Sequence, residues 1–144
     1  MKKLKPMRVL VTGGRTKTLQ RLGIDAGAVH VQVVRTLNAI SACGDREVTI
    51  IHGGATGVDA MADAWADRTH TIKEVYPISK EEWDSLGKAA GPTRNAFMLT
   101  KKPDVVVAFV GGNGTIDMVA RARDAGVRVF EVPRPAIVEV PATC

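Results

Sequence analysis

Aromatic residues are scarce in this chain, with two Trp, one Tyr and three Phe in 144 residues. A surface that stacks successive bases of a single strand is built from such rings, so nucleic acid is not the expected partner. Cysteine is equally sparse. Cys43 and Cys144 lie far apart and neither belongs to a C-x-x-C pair, which argues against a disulfide framework and against a thiolate zinc site. Cys43 follows a helical run and reads as a small apolar filler. His30, His52 and His70 show no metal-ligand spacing, so no metal and no cofactor is expected. No apolar run approaches the ~20 residues that cross a bilayer. The basic start, Met1 to Pro6, leads into a short strand without a signal-peptide core, and the expectation is a cytoplasmic protein with no membrane contact. Two nucleotide signatures are also missing. No Gly-Lys-Ser/Thr completes a Walker A loop, and no G-x-G-x-x-G follows the first strand.

What is present is an ordinary globular composition with a basic balance. Hydrophobic residues make up 45% and charged residues 24%, and 20 Lys and Arg against 15 Asp and Glu leave a net charge of +5. That sign favours anionic partners, nucleic acid or small phosphorylated molecules. The length suits one domain with its own core. Five short apolar runs recur: Val9–Val11, Val48–Ile51, Ile72–Tyr76, Val105–Val110 and Val127–Val132. Most are continuous and β-branched, the pattern of strands covered on both faces of a parallel sheet. Between them, helical spacing runs through Val29–Ala42, Val58–Ala66, Pro92–Lys101 and Thr115–Ala125, the last ending at Gly126. The alternation predicts βαβ units with right-handed crossovers. The expected fold is α/β, a single Rossmann-like three-layer domain over residues 1–132, with a mostly parallel five-stranded sheet and helices on both faces. Residues 133–144, with Pro133, Pro135 and Pro141, read as a loosely packed tail. The stretches Thr16–Gly27 and Ser79–Gly91 read only as polar connections.

The glycines carry the functional signal. The first strand ends in Thr12-Gly13-Gly14-Arg15, the second in His52-Gly53-Gly54-Ala55-Thr56-Gly57, and the fourth in Gly111-Gly112-Asn113-Gly114-Thr115. In a parallel sheet these loops share one edge, where open α/β sheets bind ligands. Gly lets a backbone approach a phosphate closely, and a helix N-terminus behind such a loop suits an anion. One Gly-Gly after a strand is more often a plain turn; three at one edge point to a ligand crevice. The cluster Gly91-Pro92-Thr93-Arg94-Asn95 puts Arg94 and Asn95 near a helix start. Arg94 and Arg15 could each grip phosphate through a planar fork or serve as surface residues. Asp59 and Asp117 fall in first turns after Gly-rich loops, as caps or as acceptors of a ribose hydroxyl. Trp83 could stack on a base or pack beneath its loop, whereas Trp65 fits a core stripe. His52 ends a strand at the same edge and could orient a loop or touch ligand.

Val11-Thr-Gly-Gly-Arg15, His52-Gly-Gly-Ala-Thr-Gly-Val-Asp59, Gly91-Pro-Thr-Arg-Asn95 and Gly111-Gly-Asn-Gly-Thr115 together resemble the YspA-type, cpYpsA-related branch of the SLOG superfamily. That Rossmann-like group also includes LOG-type phosphoribohydrolases and the DprA core. The resemblance implies a nucleotide-type ligand, with ADP-ribose derivatives among those that SLOG domains sense. In LOG-type enzymes an arginine before the last Gly-rich loop and a glutamate after its Gly-Thr support cleavage of an N-glycosidic bond. Arg94 and Asp117 look like the matching positions, although Asp117 is one methylene shorter and Val110, not proline, precedes the Gly pair. The leading expectation is a binding module, a sensor or sequestering domain. Its ligand contacts would come from Gly13, Gly14, Arg15, Gly53, Gly54, Gly57, Asp59, Trp83, Arg94, Asn95, Gly111, Gly112, Gly114 and Thr115. The alternative is a phosphoribohydrolase with Arg94 and Asp117 as catalytic residues; DprA-like DNA binding ranks third. Homo-oligomerisation is compatible with the resemblance.

Overall fold

A computed structural model describes residues 5–44 and 46–135; Cys144 and the rest of the tail beyond Pro135 lie outside the described residues. Five strands, β1 (Met7–Thr12), β2 (Val48–His52), β3 (Ile72–Val75), β4 (Val105–Ala108) and β5 (Arg128–Glu131), form one sheet. Its order is β3-β2-β1-β4-β5 and every pairing is parallel. The continuous apolar runs behave as a doubly covered sheet requires. β2 and β4 are buried along their whole length, as are Val9, Leu10 and Val11 of β1. The edges differ, because each edge strand has a neighbour on one side only: Ile72, Val75 and Phe130 are exposed.

Helices α1 (Thr16–Arg21), α2 (Ala26–Ala42), α3 (Val58–Arg68), α4 (Lys80–Leu86), α5 (Ala90–Leu99) and α6 (Asn113–Asp124) connect the strands, with a 3₁₀ turn at Gly87–Ala89. Alternating strand residues feed two separate cores. Val9, Val11, Ile50 and Val107 pack against Val29, Val33 and Leu37 of α2 and Val58, Ala62 and Trp65 of α3. Leu10, Ile51 and Val106 meet Met98 of α5 and Met118 and Ala122 of α6 on the other face. Each fully buried Val, Leu or Ile contributes roughly 1.5–3 kcal/mol, so the three-layer arrangement follows from the pattern of the runs.

The two stretches read as connections contain helix. Asp25 caps α2 by accepting from the Ala28 amide at 2.9 Å, and its placement starts that helix three residues before Val29. Ser79 and Glu82 form a capping box for α4, with the Glu82 amide donating to Ser79 Oγ at 3.1 Å. The S-x-x-E spacing was the available signal. Cys43 is a correction: it is exposed, not a core filler. It is the C-cap of α2 and lies beyond Leu37, the last buried residue of the helix.

Candidate functional site

The strand order reverses between β1 and β4, since β1 leads outward to β2 and β3 while β4 leads to β5. The loops after β1 and β4 therefore part to opposite sides and leave a crevice at the carboxyl edge of the sheet. The loop after β2 closes the same crevice. A cavity of about 90 Å³ occupies it, lined by Gly13, Gly14, Arg15, Asp59, Arg94, Asn95, Gly112, Gly114 and Thr115 among others. That space is too small for a whole nucleotide, for which pockets run to ~300 Å³ and above. It suits a tetrahedral anion.

Several glycines serve the protein before they serve any ligand. Gly57 has φ +79, and a Cβ there would overlap the Gly14 carbonyl. The Val58 amide donates to that carbonyl at 3.0 Å, and the Gly14 amide donates to Val110 O at 2.8 Å. The first loop thus ties the second to the third. At Gly111 a Cβ would overlap Thr115 Oγ1, while Gly13 and Gly53 are covered by Val58 and by the Arg94 guanidinium. Gly53, Gly54, Gly57 and Gly111 do not line the crevice. The Gly-rich spelling of these loops reflects interlocking as much as room for phosphate.

Helix α6 meets the crevice without a side-chain cap and without an acidic residue in its first turn. Its free amides and partial positive charge are left for an external anion. Asp117 is a correction in position. Because α6 begins at Asn113, Asp117 lies in the second turn, outside the crevice lining. Its Oδ2 accepts from Asn95 Nδ2 at 3.0 Å and from Arg121 Nε at 2.9 Å. The i,i+4 spacing of Asp117 and Arg121 was legible in the sequence. Asn95 also donates to Gly114 O at 3.2 Å and so fixes the third loop against α5.

Asp59 is buried at the start of α3 and accepts from the amides of Gly53 and Ala55, each at 3.2 Å. Burial pushes its carboxyl up, against the pull of the two amides and Arg94. His52 is buried as well. The Gly54 amide donates to its Nδ1 at 2.9 Å, so the ring proton sits on Nε2 and is donated to Asp63 Oδ1 at 2.8 Å. Both ring nitrogens are committed, and His52 shapes the loop.

Arg94 lies half-buried between the second loop and the end of β3. Its Nη1 donates to Gly53 O at 2.7 Å and to Tyr76 O at 3.4 Å. Among the described residues no carboxylate comes within salt-bridge distance of it. Burial lowers its pKa, and Asp59 opposes that shift. The exposed Arg15 stands across the crevice, its guanidinium 5.3 Å from the ring centroid of Trp83 on α4. Trp83 lines neither this crevice nor its neighbour; it packs on Arg15.

That neighbour is a hollow of about 410 Å³, lined by Val75, Tyr76, Pro77, Glu82, Thr93, Arg94 and Phe97. Of these, the sequence motifs contained only Thr93 and Arg94. Phe97 and Tyr76 are brought together by α5 and β3, at a ring-centroid distance of 5.6 Å, and local spacing carries no sign of that pairing. A larger cavity, about 640 Å³, lies at the amino edge, where Met7 and Val105 begin their strands and α2 ends. Its walls are mainly apolar and no carboxylate lines it. Among the described residues no group of His, Cys, Asp and Glu could hold a metal ion, and no helix is long and apolar enough to cross a membrane.

The model of the YspA, cpYpsA-related SLOG family matches residues 7–79, about half of the chain. Gene 61 protein of Mycobacterium phage D29 is 35% identical over 87 residues, covering 58% of this chain and 70% of that protein. The crystal structure of the structural-genomics target TM1055 superposes with a TM-score of 0.58 at 19% identity, covering 85% of this chain and 72% of that one. The latter is a likeness of fold. On the family match and the phage relative, the chain belongs to the YspA, cpYpsA-related SLOG family.

Proposed function

We propose that this domain binds a phosphorylated nucleotide or an ADP-ribose-like ligand, acting as a sensor or a sequestering module. The observation that carries the reading is Arg94. A guanidinium that loses solvent without gaining a carboxylate raises the free energy of the empty protein, and an anion beside it offsets that cost. Its Nη2 makes no hydrogen bond among the described residues. The same crevice holds the uncapped start of α6, the Gly112–Thr115 amides and Arg15. Thr115 is buried there and Asp59 stands opposite, suited to a ribose hydroxyl. Cleavage of an N-glycosidic bond is less well supported, because Asp117 is already paired with Arg121 and Asn95.

The test is a panel of nucleoside monophosphates, NAD and cyclic ADP-ribose, read by thermal shift and then by mass spectrometry of the recovered ligand. Stabilisation with the ligand intact is the expected result. Release of free base and ribose phosphate would make the domain a hydrolase. Arg94→Ala should weaken binding at least tenfold, and unchanged affinity in calorimetry would remove Arg94 as the anchor.

A further inference from the structure

We infer that the hollow beside the crevice is a nucleobase subsite selecting bases with an exocyclic amino group, Glu82 being the acceptor. The inference rests on the phosphate reading above. Arg94 is the shared wall of the two cavities. In this reading a ligand with its phosphate among the glycine loops continues past the guanidinium into the larger space. At about 410 Å³ that space falls within the ~300–1,000 Å³ range of small-molecule pockets.

Its chemistry is that of a base site. Val75 and Phe97 are 37% and 49% exposed, large apolar side chains left in water at the rim of a charged crevice. Pro77 and Tyr76 complete the apolar wall. Phe97 is held in place: the Tyr76 ring meets it edge-on, and Lys101 Nζ lies 4.6 Å from its centroid. A ring positioned in this way can contact a flat heterocycle without further ordering cost. Glu82 supplies a carboxylate in the lining. One of its oxygens accepts from the Ser79 amide at 3.3 Å, and the other has no partner among the described residues. A carboxylate accepts and never donates. It thus favours an amino group over a carbonyl at the matching position, and meeting a carbonyl oxygen there would leave two acceptors face to face. The shared ligand chemistry is a nucleoside 5′-phosphate unit, free or as the nucleoside half of ADP-ribose.

Calorimetry on the full chain with AMP, IMP, CMP, UMP, ribose 5-phosphate and ADP-ribose tests this. AMP or CMP should bind at least tenfold tighter than its oxo counterpart and than ribose 5-phosphate. Glu82→Gln keeps the α4 capping box, so the fold is retained, yet it should reduce that preference below threefold and leave ribose 5-phosphate unaffected. Phe97→Ala should weaken the amino and oxo nucleotides alike, with ribose 5-phosphate again unchanged. Tighter binding of ADP-ribose than of AMP would name the diphosphate ribose conjugate as the source, and equal binding the free nucleotide. If neither base pair is discriminated while ribose 5-phosphate binds and Arg94→Ala abolishes it, the base subsite is wrong and the phosphate site stands. If no phosphorylated compound binds, both fall.

Discussion

Two arginines stand at opposite edges of the sheet, and their surroundings are opposite in kind. Arg8, at the amino edge of the sheet, meets Glu74 through two bonds of 2.7 and 2.8 Å and donates through Nε to Lys101 O. Tyr76 Oη donates to the same carboxylate at 2.6 Å. Every charge in that group has a partner. Arg94, at the carboxyl edge, is the more withdrawn from solvent and has backbone carbonyls and Asn95 in place of a carboxylate. The pKa directions follow: the Arg8 pair raises Arg8 and holds Glu74 at about 2, while burial lowers Arg94. A satisfied arginine supports the fold. One without a carboxylate partner, lining the same crevice as an uncapped helix start, is the ground of the binding proposal.

The contrast can be broken at four points. The largest effect should come from Gly57→Ala, which puts a Cβ at φ +79 against the Gly14 carbonyl and should cost about 2–4 kcal/mol in a denaturant melt. A loss below about 0.5 kcal/mol would mean that the loops are not locked to one another. Arg8→Ala should come next, removing about 1–2 kcal/mol of stability with ligand affinity unchanged. Arg94→Ala should do the reverse, with affinity falling at least tenfold and stability moving by less than about 1 kcal/mol. Parallel losses of stability and binding in both variants would erase the distinction between the two sites.

The smallest effect is acid sensitivity. Glu74 is held at about 2, below its ordinary 4.5, so its contribution is in place above roughly pH 4.5 and disappears as pH falls toward 2. For a pair about 30% exposed, solvent screening leaves ~1–2 kcal/mol of it. Glu74→Gln should flatten the stability profile over that window and leave the neutral-pH ligand affinity alone. An unchanged acid limb would show that the pair is not what senses acid.

Much of the candidate crevice's lining was legible in the sequence, for a local reason. Strand-ending Gly-Gly pairs and helical stripes are written in neighbouring residues, and a parallel sheet then brings all strand ends to one edge. The unread parts depend on residues distant in the chain. Cys43 is exposed because α2 outruns its buried stripe. Trp83 meets Arg15 across 68 positions, which spacing cannot anticipate. Asp117 was placed in a first turn because α6 starts two residues earlier than the glycine pattern suggested.

The sequence by itself determined the five strands, the two-faced sheet, the glycine loops at its carboxyl edge and the family. Those follow from periodicity and from the backbone freedom of a few residues. Only the tertiary structure decided which charges have partners. Arg8 and Arg94 are the same residue type with the same charge, and nothing in their neighbours along the chain distinguishes an arginine in a closed ion pair from one left without a carboxylate. That difference is set by what the fold brings within about 3 Å, where desolvation and hydrogen bonding outweigh any local preference.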